Sequence, residues 1–585
     1  MKTAFLAAAL FAIVACKRGG EPVPTAAPEG ASGARPDPAR PSLPPPAAVK
    51  SAEPDDDWQH AQPIPSRAIV SGEFAPTRGG VDDDWTKVTP GPGAKLSLRI
   101  FLTGVADAAL EVFDRDRNRI LRQRGPGDPL AARRVGCLEA CFIKVSGGAG
   151  SYTLSVLGEP VDAAWELEPN DRAVDANALA AGAGISGWFG SGADQDWYRL
   201  AFPDAKPGQF LRVEISAVPG VRPELEVRAL DGALLATLRG PAEGQPLFVR
   251  DLALPLEAPA AAAPDAGSID AGDAGDAGAA PAPPPAGERG LFLVVRSSLI
   301  PGSGRAKAFR GANVKDAYTL STALETGPAD LEIEPNDEPQ RATDLGPPLS
   351  RSGYLAPGGD VDWYRVKVER PSILHVEVSA LERADLELSV HAPGKPGEKP
   401  KMLARANEGG VREGEVLPAV GIPAGESLIR VESAARNVDG RKWVRDTEDR
   451  NNLYKLTATV APDDGTMERE PNGTPAAAQE LALPASIKGY IWPRKDVDAF
   501  AFKIGEGHAP ISVKVSAVRG VDLQLALKQK SGAGWETIGT GDTVKGEGEE
   551  QIVSVPVKPG DYVVEVSSPR HRDASATQAY VLTIQ

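Results

Sequence analysis

Side chains that do chemistry are scarce in this chain. Of 585 residues, three are cysteine, three methionine and five histidine, and aromatic residues make up 5%. The histidines (His60, His375, His391, His508 and His571) stand far apart, and no His-Glu-x-x-His occurs, which excludes the usual zinc-peptidase helix. A Gly-x-Ser-x-Gly elbow and a Gly-x-x-x-x-Gly-Lys-Ser/Thr loop are also missing, so neither a hydrolase serine nor a phosphate cradle is in sight. Positive charge is outnumbered, 64 Lys and Arg against 80 Asp and Glu, for a net charge of −16. That balance argues against nucleic acid as a partner and suits the binding of cations. Beyond residue 16 no apolar run is long enough to cross a bilayer as a helix, and helical 3.6-residue periodicity is absent.

What the chain has is a repeat. Glu166-x-Glu168-Pro169-Asn170-Asp171 is followed by Asp194-x-Asp196-Trp197-Tyr198. Glu332-x-Glu334-Pro335-Asn336-Asp337 is followed by Asp360-x-Asp362-Trp363-Tyr364, and Glu468-x-Glu470-Pro471-Asn472-Gly473 by Asp496-x-Asp498-Ala499-Phe500. The second aspartate stands 27 positions after the proline each time (169 to 196, 335 to 362, 471 to 498). A divergent copy, Glu53-Pro54-Asp55-Asp56 with Asp82 and Asp84-Trp85, has a spacing of 30 (54 to 84). Four copies of one unit organise the chain.

Between the motifs, apolar residues alternate. Tyr198, Leu200 and Phe202 share one face, as do Tyr364, Val366 and Val368, and Phe500, Phe502 and Ile504. Every unit closes on Tyr-x-Leu: Tyr152/Leu154, Tyr318/Leu320, Tyr454/Leu456 and Tyr580/Leu582. Period two with one apolar face predicts half-buried antiparallel strands, hence an all-β fold with one β-sandwich per repeat. The predicted domains are 51–160, 161–326, 327–462 and 463–585, joined by short linkers.

The first sixteen residues read as a secretion signal, with Lys2 ahead of the apolar stretch Ala4 to Val14. The stretch ends Ile13-Val14-Ala15-Cys16, which resembles the bacterial lipobox. The resemblance implies that Cys16 is acylated and anchors the mature chain to a membrane, each buried methylene contributing ~0.8 kcal/mol. Lys17 resembles the sorting choice for the outer membrane in enteric bacteria, so the expected location is extracytoplasmic, on the envelope. Residues 17–50, rich in Pro and Ala, are expected to form a disordered tether of about 100 Å reach. A second low-complexity stretch, 257–287, carries Asp270-Ala271-Gly272-Asp273 and reads as a disordered insertion in the second sandwich. Cys137 and Cys141, four apart, are expected to form a small disulfide loop in an oxidising compartment, with free thiols as the alternative.

The Glu-Pro-Asn-Asp start, the Asp-Trp-Tyr strand and the closing Tyr-x-Leu strand resemble the bacterial pre-peptidase C-terminal domain, a family that includes the collagen-binding domains of clostridial collagenases. The likeness covers nearly everything after residue 50, weakest in the first repeat. It implies four tandem jelly-roll-like antiparallel β-sandwiches, and it gives architecture more firmly than activity, because the family is diverse in role.

The acidic motif is a set of hard oxygen donors. Calcium takes six to eight oxygens at about 2.3–2.6 Å with loose angular demands, whereas zinc asks for His or Cys. The family resemblance implies calcium as cofactor, held in the second repeat by Glu166, Glu168, Asn170, Asp171, Asp194 and Asp196. In the third the set is Glu332, Glu334, Asn336, Asp337, Asp360 and Asp362. In the fourth it is Glu468, Glu470, Asn472, Asp496 and Asp498, one ligand short because Gly473 replaces an aspartate. Ser51 stands where the first repeat's leading glutamate belongs, so no tight site is expected there. The competing reading is structural: an Asx turn after proline and an aspartate capping a backbone turn need no ion.

For function, the expectation is a non-catalytic, lipid-anchored binding or adhesion protein whose partner is an envelope or extracellular protein or polysaccharide. A structural spacer or scaffold of the envelope and an accessory subunit of a secreted peptidase are the alternatives. An exposed aromatic patch on one repeat and not its siblings would favour binding.

Overall fold

A computed structural model describes residues 43–75, 82–105, 107–125, 130–255, 289–300, 307–395, 397–438, 440, 442–507 and 509–585. Cys16, residues 17–42 of the expected tether and the 257–287 insertion lie outside the described residues. Among the described residues there is no α-helix, only strands and three short 3₁₀ turns.

The second repeat shows the plan. Its strands are β1 (Asn177–Ala180), β2 (Gly184–Phe189), β3 (Gln195–Ala201), β4 (Gln209–Ile215), β5 (Pro223–Arg228), β6 (Leu234–Arg239), β7 (Leu247–Ala253), β8 (Gly290–Ser297) and β9 (Asn313–Thr326). They form a five-stranded sheet in the order β1-β3-β8-β5-β6 and a four-stranded sheet in the order β2-β9-β4-β7. The third and fourth repeats have the same two orders, and the first adds one strand to the smaller sheet. Four separate apolar cores lie between the paired sheets. Tyr198, Leu200 and Phe202 are all buried, as the alternation predicts, and burying each such side chain contributes roughly 1.5–3 kcal/mol.

The sheets depart from a purely antiparallel pattern at one edge. In each repeat one short strand runs parallel to the Asp-x-Asp strand, as Asn177 pairs with Tyr198, Thr343 with Tyr364, Gln479 with Phe500 and Gln62 with Thr86. The chain visits the opposite sheet between these two strands, so it re-enters in the same direction.

Two sequence expectations need correction. The tether does not extend to residue 50. Ala47–Lys50 form a strand parallel to Arg67–Phe74, with Val49 packed against the first core. The proline-dense stretch ends at Pro46, and with it the bar to β pairing. Cys137 and Cys141 are thiols, not a disulfide. They lie on successive strands in opposite sheets and are 0% and 1% exposed. Cys137 Sγ donates to the Val88 carbonyl and Cys141 Sγ to that of Gly136, at 3.9 and 3.5 Å. The neighbouring Cys137 thiol and burial together push the Cys141 thiol up. Both act as small core side chains.

Consecutive sandwiches are joined by the Glu-x-Glu segment itself. In the third repeat Glu332 N–H donates to the Ser352 carbonyl of its own sheet at 2.8 Å. Two residues on, Glu334 N–H donates to the Asp251 carbonyl of the second repeat, and the Ala253 N–H donates to the Glu334 carbonyl at 2.9 Å. Glu168 and Glu470 make the same exchange with Arg134/Gly136 and Ala419/Gly421 of the repeats before them. The receiving strand carries a bulge at this point in every repeat, between residues paired with Leu98/Ile100, Leu211/Val213, Leu374/Val376 and Ile511/Val513. The bulge turns backbone groups out of the ladder toward the incoming segment. Side chains reinforce the joints. Arg134 lies 4.6 Å from the Trp165 ring, Arg250 lies 5.1 Å from that of Tyr354, and Trp492 Nε1 donates to the Val416 carbonyl at 2.6 Å.

Candidate metal centres

The alternation that buries Tyr198 and Leu200 also buries Asp196, because all three point inward from β3. Asp362, Asp498 and Asp84 lie at the same register and are 0–2% exposed. The second aspartate thus faces the core from its strand. Across from it, the backbone exchange at the junction points both glutamates of Glu-x-Glu inward. Carboxylate oxygens of Glu166, Glu168 and Asp196 come within 4.8 Å of one another, as do those of Glu332, Glu334 and Asp362, and of Glu468, Glu470 and Asp498.

The leading glutamate has both oxygens tied down, and the second glutamate and second aspartate one each. In the third repeat Glu332 Oε1 accepts from Tyr354 N–H at 2.8 Å and Glu334 Oε2 from Asn336 N–H at 2.8 Å. Tyr454 Oη donates to Asp362 Oδ2 at 2.7 Å, and Tyr364 Oη to Glu332 Oε2 at 2.6 Å. Glu334 Oε1, Asp362 Oδ1 and Asn336 Oδ1 are left buried with no hydrogen-bond partner. The fourth repeat leaves the same three atoms bare: Glu470 Oε1, Asp498 Oδ1 and Asn472 Oδ1. In the second repeat the Asn170 amide, turned by half a rotation, donates to Glu168 Oε2 at 3.1 Å and Asp196 Oδ1 at 3.2 Å. Its nitrogen then satisfies the carboxylates, whereas in the opposite orientation its oxygen adds a donor for a cation.

Burial first, and then the neighbouring carboxylates, push Glu334, Asp360 and Asp362 well above the usual carboxylate range. Glu166, Glu168 and Asp196 shift the same way, as do Glu468, Asp496 and Asp498. Among the described residues none of the nine clustered carboxylates forms an ion pair with Lys or Arg. Bare, buried, like-charged oxygens are costly unless protonated or matched by a cation. The donor set is oxygen only, so the residues present fit a hard divalent ion.

The first aspartate of each pair has another job. Asp360 Oδ2 accepts from Ala356 N–H at 2.7 Å, Asp496 Oδ2 from Trp492 N–H at 2.8 Å and Asp194 Oδ2 from Gly190 N–H at 2.5 Å. The turn-capping aspartate of the structural reading is therefore the first of each pair. Asp171 Oδ1 accepts from Gln195 N–H at 3.2 Å, which ties the Asn-Asp turn to the same loop. Where Gly473 replaces this aspartate, a Cβ would lie 3.2 Å from the Val497 carbonyl. The first repeat keeps a reduced cluster of Glu53, Asp55 and Asp84. Ser51 Oγ donates to Asp55 Oδ2 at 2.8 Å, and Glu53 is exposed.

Two kinds of site residue escape a reading by motif. The closing tyrosine is one: Tyr318, Tyr454, Tyr580 and Tyr152 each donate to the second aspartate at 2.6–2.7 Å. A tyrosine at a fully buried strand position needs a polar partner for its hydroxyl, which was the available signal. The other is a glycine. A Cβ on Gly353 would fall on Glu332 Oε1 and Tyr454 Oη, and Gly187 and Gly489 are hemmed in by the matching pairs. Trp363 packs at 5.0 Å from the ring of buried His391, whose pKa burial lowers to about 4.

No family model and no curated protein matches this chain. Among solved structures, it is similar to the pre-peptidase C-terminal domain of a collagenase from Bacillus anthracis, at 20% identity over 18% of this chain and 94% of that one, with a TM-score of 0.16. It is also similar to the CBM32-1 and CBM32-2 domains of Clostridium perfringens ZmpB, at 8% identity over 40% of this chain and 86% of that one, with a TM-score of 0.13.

Proposed function

We propose that this chain is a non-catalytic, lipid-anchored protein of the cell envelope, built from repeats of the pre-peptidase C-terminal kind. Calcium held by the buried carboxylates locks consecutive sandwiches together, and the array presents its loops to an envelope or extracellular protein or polysaccharide. One observation carries this reading: the segment that offers the cluster its two glutamates is also the segment hydrogen-bonded to both neighbouring sandwiches. An ion there neutralises the charge and fixes the joint in one event. The motif likeness in sequence supports the family. Calorimetric titration of the full chain with calcium is expected to give binding in the extracellular range, about 10⁻⁴–10⁻³ M. Binding should be lost stepwise as Glu168, Glu334 and Glu470 are changed to Gln. A titration without heat or stoichiometry would reject the calcium reading.

A specific feature favours binding over a bare spacer. The second and third repeats carry an extra hairpin before the closing strand, Leu299–Ile300 with Phe309–Arg310 and Arg436–Asn437 with Trp443–Val444. Phe309 and Trp443 are 51% and 66% exposed there, and exposed aromatics of this kind anchor interfaces. The anchoring claim is checked by fractionation: the wild-type chain is expected in membranes and Cys16→Ser in the soluble extract, with equal partitioning of the two as the refuting result.

A further inference from the structure

We propose that the third repeat's cation site is shared between two repeats, with Asp251 of the second repeat supplying a carboxylate ligand. This rests on the cation reading above and adds a residue outside the repeated motif. Asp251 sits at the bulge of β7, where its carbonyl receives the Glu334 N–H and Leu252 bridges to Glu334. Its side chain is 1% exposed, and neither of its oxygens has a hydrogen-bond partner. After burial, the strongest influence on that carboxylate is Glu332, and the charge of Asp251 also acts on Glu334 and Asp360. The adjacent Arg250 offsets Asp251 only in part: its guanidinium pairs with Glu325 at 2.8 Å and lies over the Tyr354 ring, and it forms no ion pair with Asp251. A carboxylate with two bare oxygens, buried beside Glu332, is sustained by a proton or by a cation, and Asp251 borders the Glu332, Glu334 and Asp362 cluster, where calcium wants six to eight oxygens.

The other junctions lack this group. The position that gives its carbonyl to the second glutamate is Arg134 at the first joint and Ala419 at the third. Arg134 pairs with Glu159 at 3.4 Å and lies over the Trp165 ring. The three sites are therefore unequal, and the one between the second and third repeats is the site built across a joint.

The test uses the full chain carrying Glu168→Gln and Glu470→Gln, so that the third site dominates a calcium titration. Adding Asp251→Asn is expected to weaken calcium by about tenfold or more. In a companion chain carrying Glu168→Gln and Glu334→Gln, Ala419→Asp is expected to strengthen the fourth site, a gain that misfolding cannot mimic. Unchanged affinity in Asp251→Asn, with binding still abolished by Glu334→Gln, overturns the shared site and leaves the calcium reading standing. A rise in Tm for Asp251→Asn in chelator with calcium affinity untouched also overturns it, because Asp251 then serves only as the protonated partner of Glu332. Absence of calcium binding in the wild-type chain removes both.

Discussion

Gly353→Ala is expected to destabilise the third repeat by about 1–3 kcal/mol or more and to abolish its cation site. The added methyl has no free direction. It falls on Glu332 Oε1 and on Tyr454 Oη, and both atoms are already engaged, one by the Tyr354 N–H and the other by Asp362. Neither is the loose end of a flexible chain: Glu332 and Tyr454 are both 0% exposed. Relief requires moving the glutamate, which breaks the cluster, or the tyrosine, which strips Asp362 of its donor. Gly346→Ala is the control, because a Cβ there meets nothing within 4 Å. Calorimetric scans should show one transition lowered by roughly 4–8 °C per kcal/mol in Gly353→Ala and no shift in Gly346→Ala. Equal stability of the two variants would mean that the glycine is not holding space for the site.

The second large effect is set by pH and calcium together. Burial raises Asp194 to about 7, and burial, opposed in part by the Tyr152 hydrogen bond, raises Asp84 to about 7. The clustered glutamates and the second aspartates shift in the same direction. For a carboxylate whose folded pKa exceeds its unfolded value, the folded state holds a proton that the unfolded chain has released. Stability is then greatest below the unfolded pKa, near 4, and falls as pH rises toward the folded value. In chelator the Tm is therefore expected to drop between pH 5 and pH 8, the reverse of an ordinary salt-bridged carboxylate. Calcium at 10 to 100 times its Kd should restore about 1.4–2.7 kcal/mol per site, and the gain should be larger at pH 8 than at pH 5 because protons compete for the same oxygens. Thermal scans at the two pH values, with and without calcium, decide it; a Tm that climbs with pH in chelator would show that the clusters are solvated.

The strands were readable because period two survives in every copy: Tyr198/Leu200/Phe202 and Tyr364/Val366/Val368 face inward on the strength of alternation alone. The same rule, carried back two residues, places Asp196 and Asp362 in the core. An acidic residue reads as surface, however, and only the tyrosine opposite explains why it is not. Glu-x-Glu was legible as donors for an ion at the entry to each repeat, but its backbone partners in the preceding repeat were not, because Arg134, Asp251 and Ala419 share no side-chain chemistry. What they share is a bulge, a backbone property that leaves little trace in composition. The cysteine pair misled for a related reason: four residues apart in sequence, Cys137 and Cys141 end one strand and begin the next in opposing sheets, where core packing suits two thiols.

The lead-in to each later repeat bridges in parallel to a strand on either side, Leu331 to Ser352 and Glu334 to Leu252 in the third repeat. A pull along the chain therefore loads these hydrogen bonds in shear, several at once, instead of peeling them open one by one. An ion gripped by both glutamates would sit across the line of tension, so the joint between sandwiches, ordinarily where a string of domains gives way first, becomes a place that resists extension.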